Sequence, residues 1–261
     1  MCMKVIDNGQ KFDFGKTAED YAKFRDIYPE HFYKQLYDAG IGHRDERILD
    51  LGTGTGVIPR NMYHYGAHWV GIDISEEQVK NASLLAEKAR QNISFSAIPL
   101  EKLDFPANSF DAVCACQCIW YFDGKILADL LNHILCSGGR FVAAIMNWLP
   151  FEDPVAKASE ELVLKFNPDW TGGGYTRKAV PVPQEVSEVL TPAEKISFDL
   201  PVSFTRSSWH GRMKACRGTG ASLPPEKFSA WSVEHLRMLE DNFPETFTVL
   251  HHVAIAVFEK R

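Results

Sequence analysis

The chain has 261 residues, 45% hydrophobic and 24% charged, with 28 Lys and Arg against 34 Asp and Glu and a net charge of −6. This is the balance of an ordinary globular protein, long enough for one large domain or a core of about 150 residues with elaborations. It lacks the basic footprint that nucleic acid demands, and its longest late apolar run, "VAIAVF", is far short of the ~20 residues that span a bilayer. Neither nucleic acid nor a membrane is expected as a partner. The opening "MCMKVIDNGQKFDFGK" has no apolar core of signal-peptide length, and the six cysteines include no C-x-x-C pair, so a cytoplasmic, reducing location is expected.

In chain order, "TAEDYAKFRDIYPEHFYKQLYDAG" reads as helix broken at Pro29, with Tyr33, Leu36 and Tyr37 at helical spacing and Gly40 as a stop. "RILDLG" is a short buried strand, "GVIPRNMYHYG" a helix closed by Gly66, "HWVGIDIS" a second strand and "EEQVKNASLLAEKARQ" an amphipathic helix. "ISFSAIP" and "FDAVCACQCIWYF" are the third and fourth strands; a helix "KILADLLNHIL" ends at "SGG", and "RFVAAIMNW" is the fifth strand. Strands alternating with helices imply an α/β fold with a doubly wound parallel sheet. From Trp148 the pattern changes, and one helix with a Gly/Pro-rich aromatic loop reads as an insertion. "ISFDLPVSFT" resumes as a sixth strand, "PPEKFSAWSVEHLRMLEDN" is a helix, and "FTVLHHVAIAVFEK" is a long last strand.

The glycine loop "LDLGTGTGV" decides the cofactor. A dinucleotide fingerprint spaces its glycines G-x-G-x-x-G, whereas Gly52, Gly54 and Gly56 are spaced G-x-G-x-G. Asp50, two residues before the first glycine, would repel a pyrophosphate and suits a ligand carrying an ammonium and a sulfonium, S-adenosylmethionine. Asp73, seventeen residues after Gly56 at the end of "GID", stands where an acid grips ribose hydroxyls in doubly wound folds; its plain alternative is a helix N-cap.

"ILDLGTGTG", "VGIDIS", "LEKLDFPANSFDAV" and "LCSGGRF" occur in this order, and through them residues from about 15 to 146 resemble class I S-adenosylmethionine-dependent methyltransferases. The resemblance is to the small-molecule group that includes the ubiquinone-biosynthesis and trans-aconitate methyltransferases. It implies a Rossmann-like seven-stranded sheet of order 3-2-1-4-5-7-6 with the last strand antiparallel. The implied organisation is an N-terminal helical lid over 1–40, a cofactor-binding core over 41–146, and an inserted cap over 147–195. Residues 196–261 then complete the core and carry a second cap segment at 206–222.

Carried over position by position, the resemblance implies that Gly52, Thr53 and Gly54 line the methionine and ribose side, that Asp73 holds the ribose, and that Ile74 packs on adenine. Pro99 departs from the family's adenine-side acid, which leaves Leu100 and Glu101 as the contacts there. Gln117 is implied at the methionine moiety, Tyr21 over the cofactor, and Arg25 at its carboxylate, with a solvated helix charge as the alternative for Arg25.

Methyl transfer from a sulfonium needs orientation and a dry pocket more than acid–base chemistry. A base is needed only for a high-pKa nucleophile, and His210 is the candidate if the acceptor is a hydroxyl. Trp120, Tyr121, Trp148, Arg206, Arg212 and Arg217 are the candidate acceptor contacts, and the arginines point to a small anionic acceptor methylated on oxygen or nitrogen. A solvated basic helix also explains the arginines. Cys114, Cys116 and Cys118 have period two and invite a thiol or arsenic methyltransferase reading, but two thiolates on one ion must lie within about 4 Å of each other, and small buried cysteines are common in central strands. No metal is expected. The remaining alternative is a relative that binds the cofactor without methylating; the sequence sets no oligomeric state.

Overall fold

The computed structural model of the chain describes residues 6–24 and 26–261. Its helices and strands are α1 (Ala18–Phe24), α2 (Glu30–Asp38), β1 (Arg47–Leu51), α3 (Val57–Met62), β2 (His68–Asp73), α4 (Glu76–Lys88), β3 (Ser94–Ala97), β4 (Phe110–Cys116), α5 (Gly124–Ile134), β5 (Leu135–Trp148), α6 (Pro154–Phe166), α7 (Gln184–Val189), β6 (Thr191–Thr205), α8 (Arg206–Lys214), α9 (Pro225–Asn242) and β7 (Thr246–Glu259). The boundaries follow local chemistry. Ser75, Asp123 and Asp153 cap α4, α5 and α6 with side-chain oxygens, and Pro154 fills the first position of α6, where its missing N–H costs nothing. Thr205 and Ser208 form a reciprocal capping box at the start of α8.

The sheet has the order β3-β2-β1-β4-β5-β7-β6. Pairs β1–β2, β1–β4, β2–β3 and β4–β5 are parallel. Gly138 N donates to Lys260 O and Leu149 N to Leu250 O, so residue numbers rise along β5 as they fall along β7, and the last strand is antiparallel. The expected sheet is therefore the one observed.

The chain divides into two compact units. The first comprises Tyr28–Met146, Ala179–Phe198 and Val253–Arg261. Its core is the Ile48, Leu49 and Leu51 side chains of β1 with Phe110, Val113, Phe141 and Val142, all fully buried, as expected of central parallel strands. The second comprises Met1–Ile27, Asn147–Lys178 and Asp199–His252. Its core is aromatic: Trp209 packs edge-on against Trp148 and Phe204, and Trp231 stacks on His210 and His235.

The division at Ile27 places α1 and α2 in different units. Some expected element bounds need correction. Helix α5 stops at Ile134, and "SGG" lies within β5, where Gly138 and Gly139 exchange hydrogen bonds with Lys260. The expected insertion holds a second helix, α7, and β6 begins five residues earlier than its apolar alternation shows. Among the described residues no helix is long and apolar enough to cross a membrane.

Candidate active site

In the first unit, β1 ends in the glycine loop. Gly52, Gly54 and Gly56 all have positive φ (63°, 55° and 73°), a region that side chains rarely adopt, so the loop needs glycine at each alternate position. Thr53 N donates to Ile72 O at 2.8 Å, which ties the loop to β2. Asp73 at the end of β2 accepts from Gly54 N and from Ser75 N, both at 2.9 Å. The same carboxylate therefore shapes the loop and starts α4, while Ser75, not Asp73, is the side chain that caps it. Burial pushes the Asp73 carboxyl above its ordinary range.

Asp50 is only 2% exposed. Burial pushes its carboxyl up to about 7, against the pull of a hydrogen bond from Cys114 Sγ at 3.2 Å. Two carboxyl groups thus meet at one loop, Asp50 buried and accepting from Cys114, Asp73 accepting from the loop itself. Ile74, next to Asp73, is 79% exposed, an apolar side chain standing open at the strand end. Leu100 is buried at the start of a single 3-10 turn, Leu100–Lys102, and Glu101 beside it is exposed.

Gln117 leaves β4 with φ of 64°, a costly conformation for a residue with a Cβ. Its backbone N donates to Ala144 O at 2.9 Å and its side-chain Nε2 to Met146 O, while the amide oxygen is buried with no hydrogen-bond partner among the described residues. This left-handed turn ends the strand after Cys116, so Cys118 does not continue the face of Cys114 as period two had implied. Instead Cys114 donates to Asp50, and Cys118 Sγ donates to Leu51 O at 3.0 Å, both buried. Burial raises both thiols well above their usual range, which keeps them protonated. Among the described residues no three His, Cys, Asp or Glu side chains converge as a metal site. Trp120 and Tyr121 sit in the 3-10 turn Ile119–Tyr121, edge to face at 5.7 Å, half-buried and exposed respectively.

The second unit holds the other candidates. Trp148 Nε1 donates to Glu160 Oε1 at 2.5 Å, and Gly174 N donates to Glu160 Oε2 at 2.7 Å. The Arg212 guanidinium lies 5.0 Å from the Trp148 ring centre, donates to Cys216 Sγ at 3.0 Å, and is 4% exposed. A solvated basic helix does not describe it. Arg206 is spent on structure: Nε and Nη2 both donate to Phe243 O, at 3.0 and 2.5 Å, closing the turn after α9. Arg217 Nε pairs with Asp7 at 2.7 Å.

His210 lies inside a directed chain of hydrogen bonds. Ser159 Oγ donates to Val155 O, so it must accept from Trp209 Nε1 and from His235 Nε2. His235 Nδ1 is then the acceptor from His210 Nδ1 at 2.8 Å, leaving His210 Nε2 to accept from Ser232 at 3.0 Å. Burial lowers His210 to about 4 and His235 to about 3. Both rings are neutral and both nitrogens of each are taken, an arrangement that holds α6, α8 and α9 together.

Arg25 and the side chain of Tyr21 lie outside the described residues. Sequence reasoning missed Ser75, Glu160 and Cys114 as partners. A Ser at an N-cap position was a readable signal, whereas Glu160 on an amphipathic helix and Cys114 in an apolar strand gave none.

Residues 48–139 match the family model described as "Methyltransferase domain". They carry the glycine loop, both acids and the strands from β1 to the start of β5, and with the sheet order around them they form a class I S-adenosylmethionine-dependent methyltransferase domain. The chain is similar to the ubiquinone biosynthesis O-methyltransferase of Psychrobacter arcticus, 28% identical over 172 residues that make up 64% of this chain and 62% of that one. It is 32% identical over 150 residues to the uncharacterized methyltransferase YcgJ of Bacillus subtilis, covering 54% of this chain and 56% of the other. The chain thus spans less than two thirds of the length of these curated relatives. Among solved structures, the Bacillus YcgJ protein superposes with a TM-score of 0.56 at 20% identity, over 89% of this chain and all of that one. The Haemonchus contortus phospholethanolamine N-methyltransferase 2, in complex with phosphomonomethylethanolamine and S-adenosylhomocysteine, gives 0.54 at 15% identity, over 90% and 53%.

Proposed function

We propose that this protein transfers the methyl group of S-adenosylmethionine to a small anionic acceptor, on oxygen. The observation that carries the cofactor half of the reading is the buried pair of acids around the glycine loop, Asp50 under it and Asp73 bonded into it. Asp73 would hold the ribose hydroxyls with the lone pairs left over from Gly54 N and Ser75 N, and the open Ile74 would cover the adenine face. Asp50 would face the ammonium, a charge that holds it ionised. The Gln117 amide, fixed by its bond to Met146 O, would present its oxygen to the same end.

The cofactor, when bound, supplies an activated methyl on a sulfonium whose departure leaves a neutral thioether. The protein's own share is to bind, orient and exclude water. On the acceptor side the reading is supported by Arg212, a buried cation laid on the Trp148 ring, whose indole is in turn fixed by Glu160. O-methylation is supported by the relatives named ubiquinone biosynthesis O-methyltransferases. No base is assigned: a carboxylate or phenolate nucleophile needs none, and His210 is engaged through both nitrogens. Release of S-adenosylhomocysteine across a panel of carboxylate, phosphate-bearing and neutral metabolites tests the reading. Turnover confined to neutral acceptors would remove the anion; turnover on amines alone would remove the oxygen.

A further inference from the structure

Asp7 is fully buried, although Ile6 before it is half-buried and Asn8 and Gly9 after it are exposed. It and Asn8 both have φ near +50°, a backbone that non-glycine residues hold only where the surroundings fix it. What fixes it is a three-way junction within the second unit. Asp7 Oδ1 accepts from Thr171 N at 2.8 Å and Thr171 Oγ1 at 2.9 Å, and Arg217 Nε lies 2.7 Å from Asp7 Oδ2. Asn8 Nδ2 donates to Asp169 Oδ1 at 3.2 Å.

Further along, the N-terminal segment is fastened to α8 and to the segment that follows it. Asp13 N donates to Ala221 O at 2.9 Å, Lys214 pairs with Asp20 at 3.0 Å, and the Arg217 guanidinium lies over the Phe12 ring at 5.8 Å. Phe24 fills the space over Gly211, where any Cβ would collide with its ring at 2.3 Å. The 171–174 turn is held at its far end by Glu160 through Gly174 N. Its "TGGG" composition would leave such a turn mobile on its own.

We propose that Asp7 is a conformational clasp that makes residues 6–24, the 171–174 turn and the 215–222 segment one moving body. The lid expected at the N-terminus and the cap expected at 206–222 are then a single part, opening and closing together. The coupling concerns the second unit alone; that this body covers the acceptor rests on the function proposed above.

Hydrogen exchange on the ligand-free full chain, wild type against Asp7→Asn, tests the coupling without any bound ligand. Asn keeps an acceptor for Thr171 but loses the charge that holds Arg217. Exchange should quicken tenfold or more, and by a common factor, in peptides covering 10–17, 172–176 and 218–223, while peptides from β1 and β4 and the urea midpoint stay unchanged. Trypsin cleavage after Arg177 or Lys178 should quicken in step. The Asp7→Arg, Arg217→Asp exchange should restore part of the protection. Quickening confined to residues 6–10, or spread equally through β1 and β4, overturns the clasp. A second arm adds S-adenosylhomocysteine to the wild type: protection that reaches 10–17 but leaves 172–176 and 218–223 unchanged also overturns it. Absence of binding in calorimetry would count against the cofactor reading, and the ligand-free arm then still decides the clasp.

Discussion

Replacing Asp50 by Asn keeps the shape and an acceptor for Cys114 Sγ but removes the ionisable group from beneath the glycine loop. An aspartate titrates near 3.8 when unfolded and, buried here, at about 7. Between those values folding takes up a proton, so this group's contribution falls as pH rises through the window. Once ionised, above pH 7, it costs the fold on the order of 4 kcal/mol, at 1.36 kcal/mol for each pH unit between the two values. Asp50→Asn should therefore match the wild type near pH 4 and exceed it at pH 8 by up to about 4 kcal/mol in urea unfolding. The same carboxylate explains why such a cost is kept. In the proposed reading a bound ammonium would hold Asp50 ionised, so S-adenosylhomocysteine binding should release about half a proton at pH 7, close to one at pH 5.5 and almost none at pH 8.5. Calorimetry in two buffers of different ionisation enthalpy reads this directly. Asp50→Asn should lose that proton release and bind at least tenfold more weakly at pH 8. Equal stability of the two proteins at pH 8, or equal proton release at pH 7, would refute the argument.

Asp73→Ala should weaken S-adenosylhomocysteine binding tenfold or more in calorimetry, since a charge-assisted hydrogen bond contributes about 1.5–3 kcal/mol; unchanged affinity would remove the ribose assignment. Arg212→Ala should raise the acceptor KM at least tenfold with the cofactor Kd unchanged, whereas Arg206→Ala, which loses the Phe243 carbonyl contact and the Glu245 ion pair, should move urea stability and leave KM alone. The His210–His235 pair, with folded pKa values lowered to about 4 and about 3, should hold its stability above pH 6.5 and lose it as pH falls toward those values. Measured in the Asp50→Asn background, where the opposing titration is absent, His235→Gln should reduce that slope by about 1.4 kcal/mol per pH unit; an unchanged slope would show that the ring is not buried neutral.

The parts legible in the sequence were those whose cause is local. Alternating strands and helices, the G-x-G-x-G spacing and the acid at the end of β2 each encode backbone geometry within a few residues, and the sheet order and loop conformation agree with them. The acceptor candidates were harder, because a side chain's fate there depends on partners far along the chain. Arg206 and Arg217 read alike in sequence, yet one closes a turn on Phe243 and the other meets Asp7, about two hundred residues away. Period two misplaced Cys118, since the left-handed turn at Gln117 is not signalled by glutamine. His210 looked like an isolated base because its partners, His235, Ser232 and Ser159, come from two other helices.

The most direct test of the account incubates the full chain with S-adenosylmethionine labelled in its methyl group and a small-molecule extract, then follows the label. The account expects label in a small anionic metabolite, on oxygen, with S-adenosylhomocysteine formed in equal amount and both reduced tenfold or more in Asp73→Ala at cofactor concentrations below its Kd. Saturable binding of the cofactor with no label leaving it, in any extract fraction, would contradict methyl transfer and leave a domain that binds the cofactor without using it.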